Sequence, residues 1–197
     1  MKQEVSRPRK GDWMQTFTGI QFWPMDPRPE DVCIEDIAHS LSMQCRFAGH
    51  SLQFYSVAEH SIYVSQIVSK RNALWGLLHD ASEAYLVDLP RPIKRGSAMG
   101  DIYREMEDGV MRCICEKFGL DDEFPPEVKW ADNVLLMTEK RDLMGPSPQD
   151  WIETERPLRE RITTTATPIE AERAFLKRFY ALTNPVTREL VLQWMGL

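Results

Sequence analysis

Residues 74–86 read LWGLLHDASEAYL, and this stretch decides the fold class. It predicts a helix from Leu74 to Leu86, which Pro90 and Pro92 bring to an end. His79 and Asp80 stand side by side in the middle of the stretch. Adjacent residues of a helix point about 100° apart, so both side chains can reach one ion that lies between helices.

Helical patterns lie on both sides of this stretch. Ser56 and Glu59 form a capping-box pattern at the start of a helix that runs to about Ser69, and residues 167–170 form a second one. Further helices are predicted at residues 34–45, 99–118, 126–143, from 168 onward and around 190–194, whereas 146–167 are predicted to be irregular. Residues 16–23 carry β-prone side chains. The sequence therefore predicts an all-α, compact helical bundle at residues 16–197, with a short β-hairpin near its start and a flexible arm at residues 1–15.

Composition narrows the class of protein. Of 197 residues, 43% are hydrophobic, which is enough for a sizeable core, and the net charge is -6 at pH 7. That charge argues against a polymeric nucleic acid as partner but leaves room for a small anionic substrate. The four cysteines include no C-x-x-C pair, and there is no run of 18 apolar residues and no secretory signal. We expect free thiols, no membrane span and a cytoplasmic location.

Two of the four histidines combine with aspartates at helical positions that face the core. His60 lies in the first turn of the helix before His79 and Asp80, and Asp132 lies in the middle of the predicted helix 126–143. Each of them alone has an ordinary explanation, such as a helix cap or a buried ion pair. Together, two imidazoles and two carboxylates predict a mixed N/O site for one divalent metal ion, among Mn, Fe, Co, Ni, Mg and Zn.

Three charged residues follow the His-Asp pair. Glu83 lies four residues after His79, on the same helix face, and is a candidate general acid or base beside the metal. Asp88 and Lys94 flank a proline-braced loop, where they could handle a proton and bind phosphate. For each of the three, a solvated surface charge is the competing interpretation.

The pattern H…HD…D resembles the HD superfamily of metal-dependent phosphohydrolases. The stretches 57–61 (VAEHS), 79–83 (HDASE) and 88–94 (DLPRPIK) are similar to its 5′-deoxynucleotidase branch. A viral branch of deoxynucleoside triphosphohydrolases is similar around residues 22–27 and 45–47. The resemblance covers roughly residues 16–145 and implies an HD-type helical bundle.

The resemblance also implies roles for individual residues. It assigns His60, His79, Asp80 and Asp132 to one divalent metal, Glu83 and Asp88 to catalysis, and Arg46 to the phosphate. The deoxynucleotidase branch has a tryptophan after that arginine, where this chain has Phe47 in a region that contacts the nucleoside. Lys94 is expected to share the phosphate with Arg46, while His39 and His50 are expected to be structural or to contact substrate.

The expected function is hydrolysis of a nucleotide, a deoxynucleoside mono- or triphosphate, by attack of metal-activated water on phosphorus. The alternatives are hydrolysis of another phosphomonoester or of a signalling nucleotide, and a non-catalytic HD module that binds nucleotide. Partners are expected to be small molecules rather than nucleic acid or membrane. Related enzymes suggest a homodimer.

Overall fold

The computed structural model describes residues 8–183 and is predominantly helical, as the sequence predicts. The helices are α1 (Ile34–Met43), α2 (Val57–Ile67), α3 (Ala73–Leu78), α4 (Glu83–Leu86), α5 (Arg91–Lys94), α6 (Ala98–Phe118), α7 (Pro126–Leu143) and α8 (Pro168–Thr183). Short 3-10 turns lie at Pro29–Asp31, Arg46–Gly49 and Lys70–Asn72. The predicted helix around 190–194 and the first seven residues of the predicted arm lie outside the described residues.

The predicted β-hairpin is present, at slightly different residues. Strand β1 (Met14–Gln15) pairs antiparallel with β2 (Gln21–Phe22), and Met14 lies opposite Phe22. The sequence predicts that residues 14 and 15 belong to the flexible arm, whereas the structure places them in β1. The turn between the strands is tied to α1, because the Thr18 N–H and hydroxyl both donate to the Asp36 carboxylate at 2.7 and 3.0 Å.

Helix α2 occupies the centre of the bundle, where it contacts α1, α3, α7 and α8. Its start follows from the sequence: Ser56 and Glu59 form the expected capping box. Glu59 also makes a long-range hydrogen bond: its Oε1 accepts from the backbone N–H of Ala166, just before α8, at 2.8 Å. This carboxylate therefore joins the start of α2 to a segment more than a hundred residues away in sequence.

The predicted helix 74–86 is not continuous. Helix α3 ends at Leu78, and residues 79–82 form turns before α4 begins at Glu83. The backbone bonds here span three residues, as from Glu83 N–H to the Asp80 carbonyl at 3.0 Å. The His79 ring contributes to the break, since its Nδ1 pairs with the Gly76 carbonyl at 2.8 Å and competes with the regular helical bond.

The irregular segment 144–167 is held by the end of α7. Arg141 donates to the carbonyls of Leu158 and Glu160 at 2.6 and 2.9 Å, and the Ile162 N–H donates to Asp142 at 2.9 Å. These bonds satisfy backbone groups that no helix or strand pairs. Within residues 8–183, none of the helices combines the length and apolar character needed to cross a membrane, and the four cysteines are free.

Candidate metal centre

His60 and His79 meet between α2 and the turn that follows α3. Their Nε2 atoms lie 3.3 Å apart, and both side chains are buried. Each ring is held by its other nitrogen: His60 Nδ1 pairs with Glu139 Oε1 at 2.6 Å, and His79 Nδ1 with the Gly76 carbonyl. Because carbonyl and carboxylate oxygens only accept, Nδ1 carries the proton in both rings and Nε2 is directed at the other histidine. This is the arrangement typical of histidines that ligate a metal.

Two aspartates lie beside the paired Nε2 atoms. Asp132 Oδ1 is 3.4 Å from His60 Nε2, and Asp80 Oδ2 is 3.2 Å from His79 Nε2 and 3.8 Å from His60 Nε2. His60, His79 and Asp132 each offer one atom within 4.8 Å of the others, a group that could hold a metal ion. Asp80 lies next to this group without belonging to it.

The separations suit a shared ion. Metal–ligand bonds of about 2.1 Å place neighbouring donors of a tetrahedral or octahedral site roughly 3.0–3.4 Å apart. The Nε2–Nε2 and Nε2–Oδ1 distances of 3.3 and 3.4 Å fall in that range. Imidazole nitrogen with carboxylate oxygen also suits a divalent transition ion. The residues present therefore fit a divalent metal ion.

The charged groups of the cluster shift one another's pKa values. Burial and the Arg46 charge oppose protonation of His60, but Glu139 and the hydrogen bond to Asp132 outweigh them and raise the pKa of His60 to about 9. Burial likewise opposes ionisation of Asp132, yet the two histidines hold the pKa of this carboxyl well below its usual range. Metal binding requires neutral imidazole, so an ion would displace the second proton of His60.

A cavity of 260 Å³ opens above this cluster. Its walls carry Asp80, Glu83, Asp88 and Asp132 together with five cationic side chains: Arg46, Arg91, Lys94, Arg95 and Lys129. Acidic groups that can hold a cation and cationic groups that can bind an anion therefore share one cavity wall. Such a site can bind an anion next to a metal, even though the whole chain is acidic.

Glu83 and Asp88 differ in environment. Glu83 is buried, and burial together with Asp80 and Asp88 holds the pKa of its carboxyl well above the usual value, which favours the protonated form. Asp88 is about half exposed and pairs with Lys94 Nζ at 3.2 Å. Lys94 also contacts Glu107 of α6 at 2.8 Å, which fixes the ammonium at the cavity wall.

The Arg46 side chain is largely buried, unlike a phosphate-binding side chain on the protein surface. Its Nε donates to Glu139 at 3.0 Å and its Nη1 lies 3.6 Å from Asp80, so the guanidinium is part of the buried charge cluster as well as of the cavity wall. The guanidinium carbon lies 5.5 Å from the centroid of the Phe47 ring. Phe47 itself does not line the cavity.

Glu139 was missed from sequence, although it organises the cluster. It is fully buried, with Oε1 on His60 and Oε2 on Arg46. A signal existed: Glu139 follows Asp132 by seven residues, two turns along α7, and therefore faces the same way. The other two histidines lie elsewhere, since His39 pairs with Glu172 at 3.0 Å and stacks on Phe17, and His50 is exposed.

Two proteins of known sequence are similar to this chain. The uncharacterized protein YfdR of Escherichia coli (strain K12) is 45% identical over 131 residues, which cover 66% of this chain and 72% of YfdR. The uncharacterized protein RCAP_rcc00048 of Rhodobacter capsulatus is 34% identical over 149 residues, which cover 69% of this chain and 75% of that protein. The chain belongs to the family of these two proteins. No protein-family model matches it.

Proposed function

We propose that this chain is a metal-dependent phosphohydrolase of the HD type, and that its substrate is a nucleotide. One observation carries the proposal: a His-His-Asp group, in which the Nδ1 atom of each histidine has a hydrogen-bond partner, contributes Asp132 to the wall of a cavity that also carries five cationic side chains. Ligands for a metal and charges for a phosphate therefore occur in one place. The H…HD…D resemblance supports the assignment to the superfamily.

The residues of the site fall into three groups, which bind phosphate, transfer a proton and hold the metal ion. Lys94, Arg46 and the other cations of the wall bind the phosphate oxygens, with charge-assisted hydrogen bonds as the main attraction. Glu83, whose raised pKa favours the protonated form, is a candidate to give a proton to the leaving oxygen. His60, His79, Asp132 and the neighbouring Asp80 would hold the ion. A bound divalent ion would supply Lewis-acid activation of water and neutralise phosphoryl charge.

A phosphate-release assay tests the proposal. The protein is loaded separately with Mn, Co, Ni, Mg and Zn, and each form is given deoxynucleoside monophosphates, deoxynucleoside triphosphates and a simple alkyl phosphate. We expect turnover of a nucleotide with at least one metal, and its loss in His79→Ala. His50→Ala is the matched control, because His50 is exposed and is not among the residues that line the cavity.

The outcomes separate the alternatives. Equal rates with the alkyl phosphate would indicate a general phosphomonoesterase. Nucleotide binding without phosphate release under any metal would indicate a non-catalytic module. Retention of full metal content and activity in His79→Ala would remove the cluster from the mechanism.

A further inference from the structure

A second cavity, of 530 Å³, lies beside the end of α7. Its wall consists of Lys140, Arg141, residues 144–148, Asp150 and Trp151. This segment belongs to the irregular part of the chain, beyond the region that the H…HD…D resemblance covers. The phosphohydrolase proposal makes no use of it.

Side-chain contacts run from Trp151, in the wall of this cavity, through Phe47, which lines neither cavity, to Arg46 beside the candidate metal centre. Arg46, which reaches Asp80 at 3.6 Å, lies over the Phe47 ring, and that ring lies 6.1 Å from the Trp151 ring between centroids, at an angle of 59°. Helix α7 gives the distance between the candidate metal centre and this cavity. Asp132 and Lys140 are eight residues apart on this helix, which corresponds to roughly 12 Å along its axis. That distance is comparable to the length of a nucleoside 5′-phosphate.

The backbone around Phe47 is held in an unusual conformation. Phe47 (φ 56, ψ 32) and Ala48 (φ 51, ψ 33) are both in the left-handed region, which is costly for residues with a Cβ. Hydrogen bonds fix the turn on both sides, from Arg46 N–H to the Tyr55 carbonyl at 2.9 Å and from His50 N–H to the Phe47 carbonyl at 3.0 Å. As a result Arg46 contacts the buried acids while the next residue contacts Trp151. Strain of this kind is concentrated at ligand sites.

We propose that Trp151, together with the ammonium of Lys140, forms the subsite for the planar base of the nucleotide. The inference rests on the proposed function and extends it, since it states where the part of the substrate distant from the phosphate binds. Bases stack on aromatic rings whatever their identity. Lys140 Nζ lies 5.9 Å from the Trp151 ring centroid, where it can donate to a base carbonyl or ring nitrogen.

The test compares a substrate that has a base with one that lacks it. For Trp151→Ala, kcat and KM are measured with 2′-deoxyadenosine 5′-monophosphate and with 2-deoxyribose 5-phosphate, and the triphosphate is added if it is the better substrate. Loss of one stacking partner typically weakens binding roughly fivefold to 100-fold. We expect KM for the nucleotide to rise by that factor, with kcat/KM for the sugar phosphate unchanged. Trp13→Ala, which removes an exposed tryptophan next to β1, is the matched control and is expected to change neither.

Binding of 2′-deoxyadenosine, which has no phosphate, separates this inference from the proposed function. Calorimetry on wild type and Trp151→Ala is expected to show binding that the substitution weakens. If the protein hydrolyses nothing but binds the nucleoside through Trp151, the subsite stands and the phosphohydrolase proposal fails. An unchanged nucleotide KM in Trp151→Ala, an equal loss with both substrates, or no nucleoside binding by wild type would overturn the subsite.

Discussion

Replacing Glu139 by glutamine is the sharpest perturbation of the metal centre. The carboxylate is fully buried and accepts from His60 at 2.6 Å and from Arg46 at 3.0 Å. A glutamine side chain has almost the same shape but only one acceptor oxygen, so its amide nitrogen must face one of these donors. His60 then loses either its partner or its orientation, and Arg46 loses half of its buried counter-charge.

The expected size of the effect follows from those contacts. Removal of a hydrogen-bond partner of a ligating histidine typically weakens metal binding about 10–100-fold. Breaking a buried ion pair costs about 3–5 kcal/mol of unfolding free energy, and we expect the lower end because Arg46 keeps Asp80 at 3.6 Å. Metal titration followed by calorimetry gives the first quantity, and urea unfolding gives the second.

Glu127→Gln is the control for this experiment. It makes the same chemical change in the first turn of the same helix, where the carboxylate accepts from Ser69 rather than from the cluster. Metal affinity should not change in this variant. Equal metal affinity in wild type and Glu139→Gln would refute the reasoning, because it would mean that the His60 ring does not depend on its carboxylate partner.

Three further predictions concern other parts of the chain. Glu83→Gln should keep its metal and lose about 10²–10⁴-fold in turnover, because the amide cannot donate a proton; elemental analysis with phosphate release checks this, and full activity would assign the proton elsewhere. Asp142→Asn should lower the unfolding free energy by about 1.5–3 kcal/mol at pH 7, since the buried carboxylate accepts charge-assisted bonds from Arg141. Those hydrogen bonds lower the pKa of Asp142, so they stabilise the fold fully at pH values above the pKa of Asp142 in the unfolded chain. The difference in unfolding free energy between wild type and Asp142→Asn, measured by urea unfolding, should therefore shrink below about pH 4. A difference that stays constant with pH would contradict this. Val87→Gly should raise the melting temperature, because exposed Val87 (φ 62, ψ 149) adopts a backbone conformation that costs a residue with a Cβ about 1–3 kcal/mol. This cost is larger than the entropic cost of ordering a glycine. A lower melting temperature would show that the strain is absent.

Helix positions were predictable from the sequence where the signal was local. The capping box at Ser56 and Glu59 and the proline at the start of α7 depend on residues within one turn, and both helices begin where those signals indicate. The break after Leu78 was not predictable from periodicity. It involves a bond between a side chain and the backbone, His79 with the Gly76 carbonyl, which a pattern of apolar residues does not contain.

The candidate site was predictable to the extent that residue type alone marks a ligand. Histidines and aspartates are conspicuous in core-facing helical stretches, and the structure brings His60, His79 and Asp132 together. Glu139 could have been predicted only by noting that it lies on the same face of α7 as Asp132. Trp151 carried no comparable signal, because an irregular segment has no periodicity from which a neighbour could be inferred.

The contact between Glu59 and the Ala166 N–H has a consequence for how the molecule assembles. The carboxylate that caps α2 precedes His60 directly, and its partner is made 107 residues later. The first turn of α2 therefore gains its last restraint only after the chain has passed through α7 and returned along the segment 144–167. Contacts so distant in sequence form late and slow the folding of small proteins. This restraint cannot form until synthesis has reached Ala166, so the capping of α2 is completed only after all of α7 has been made.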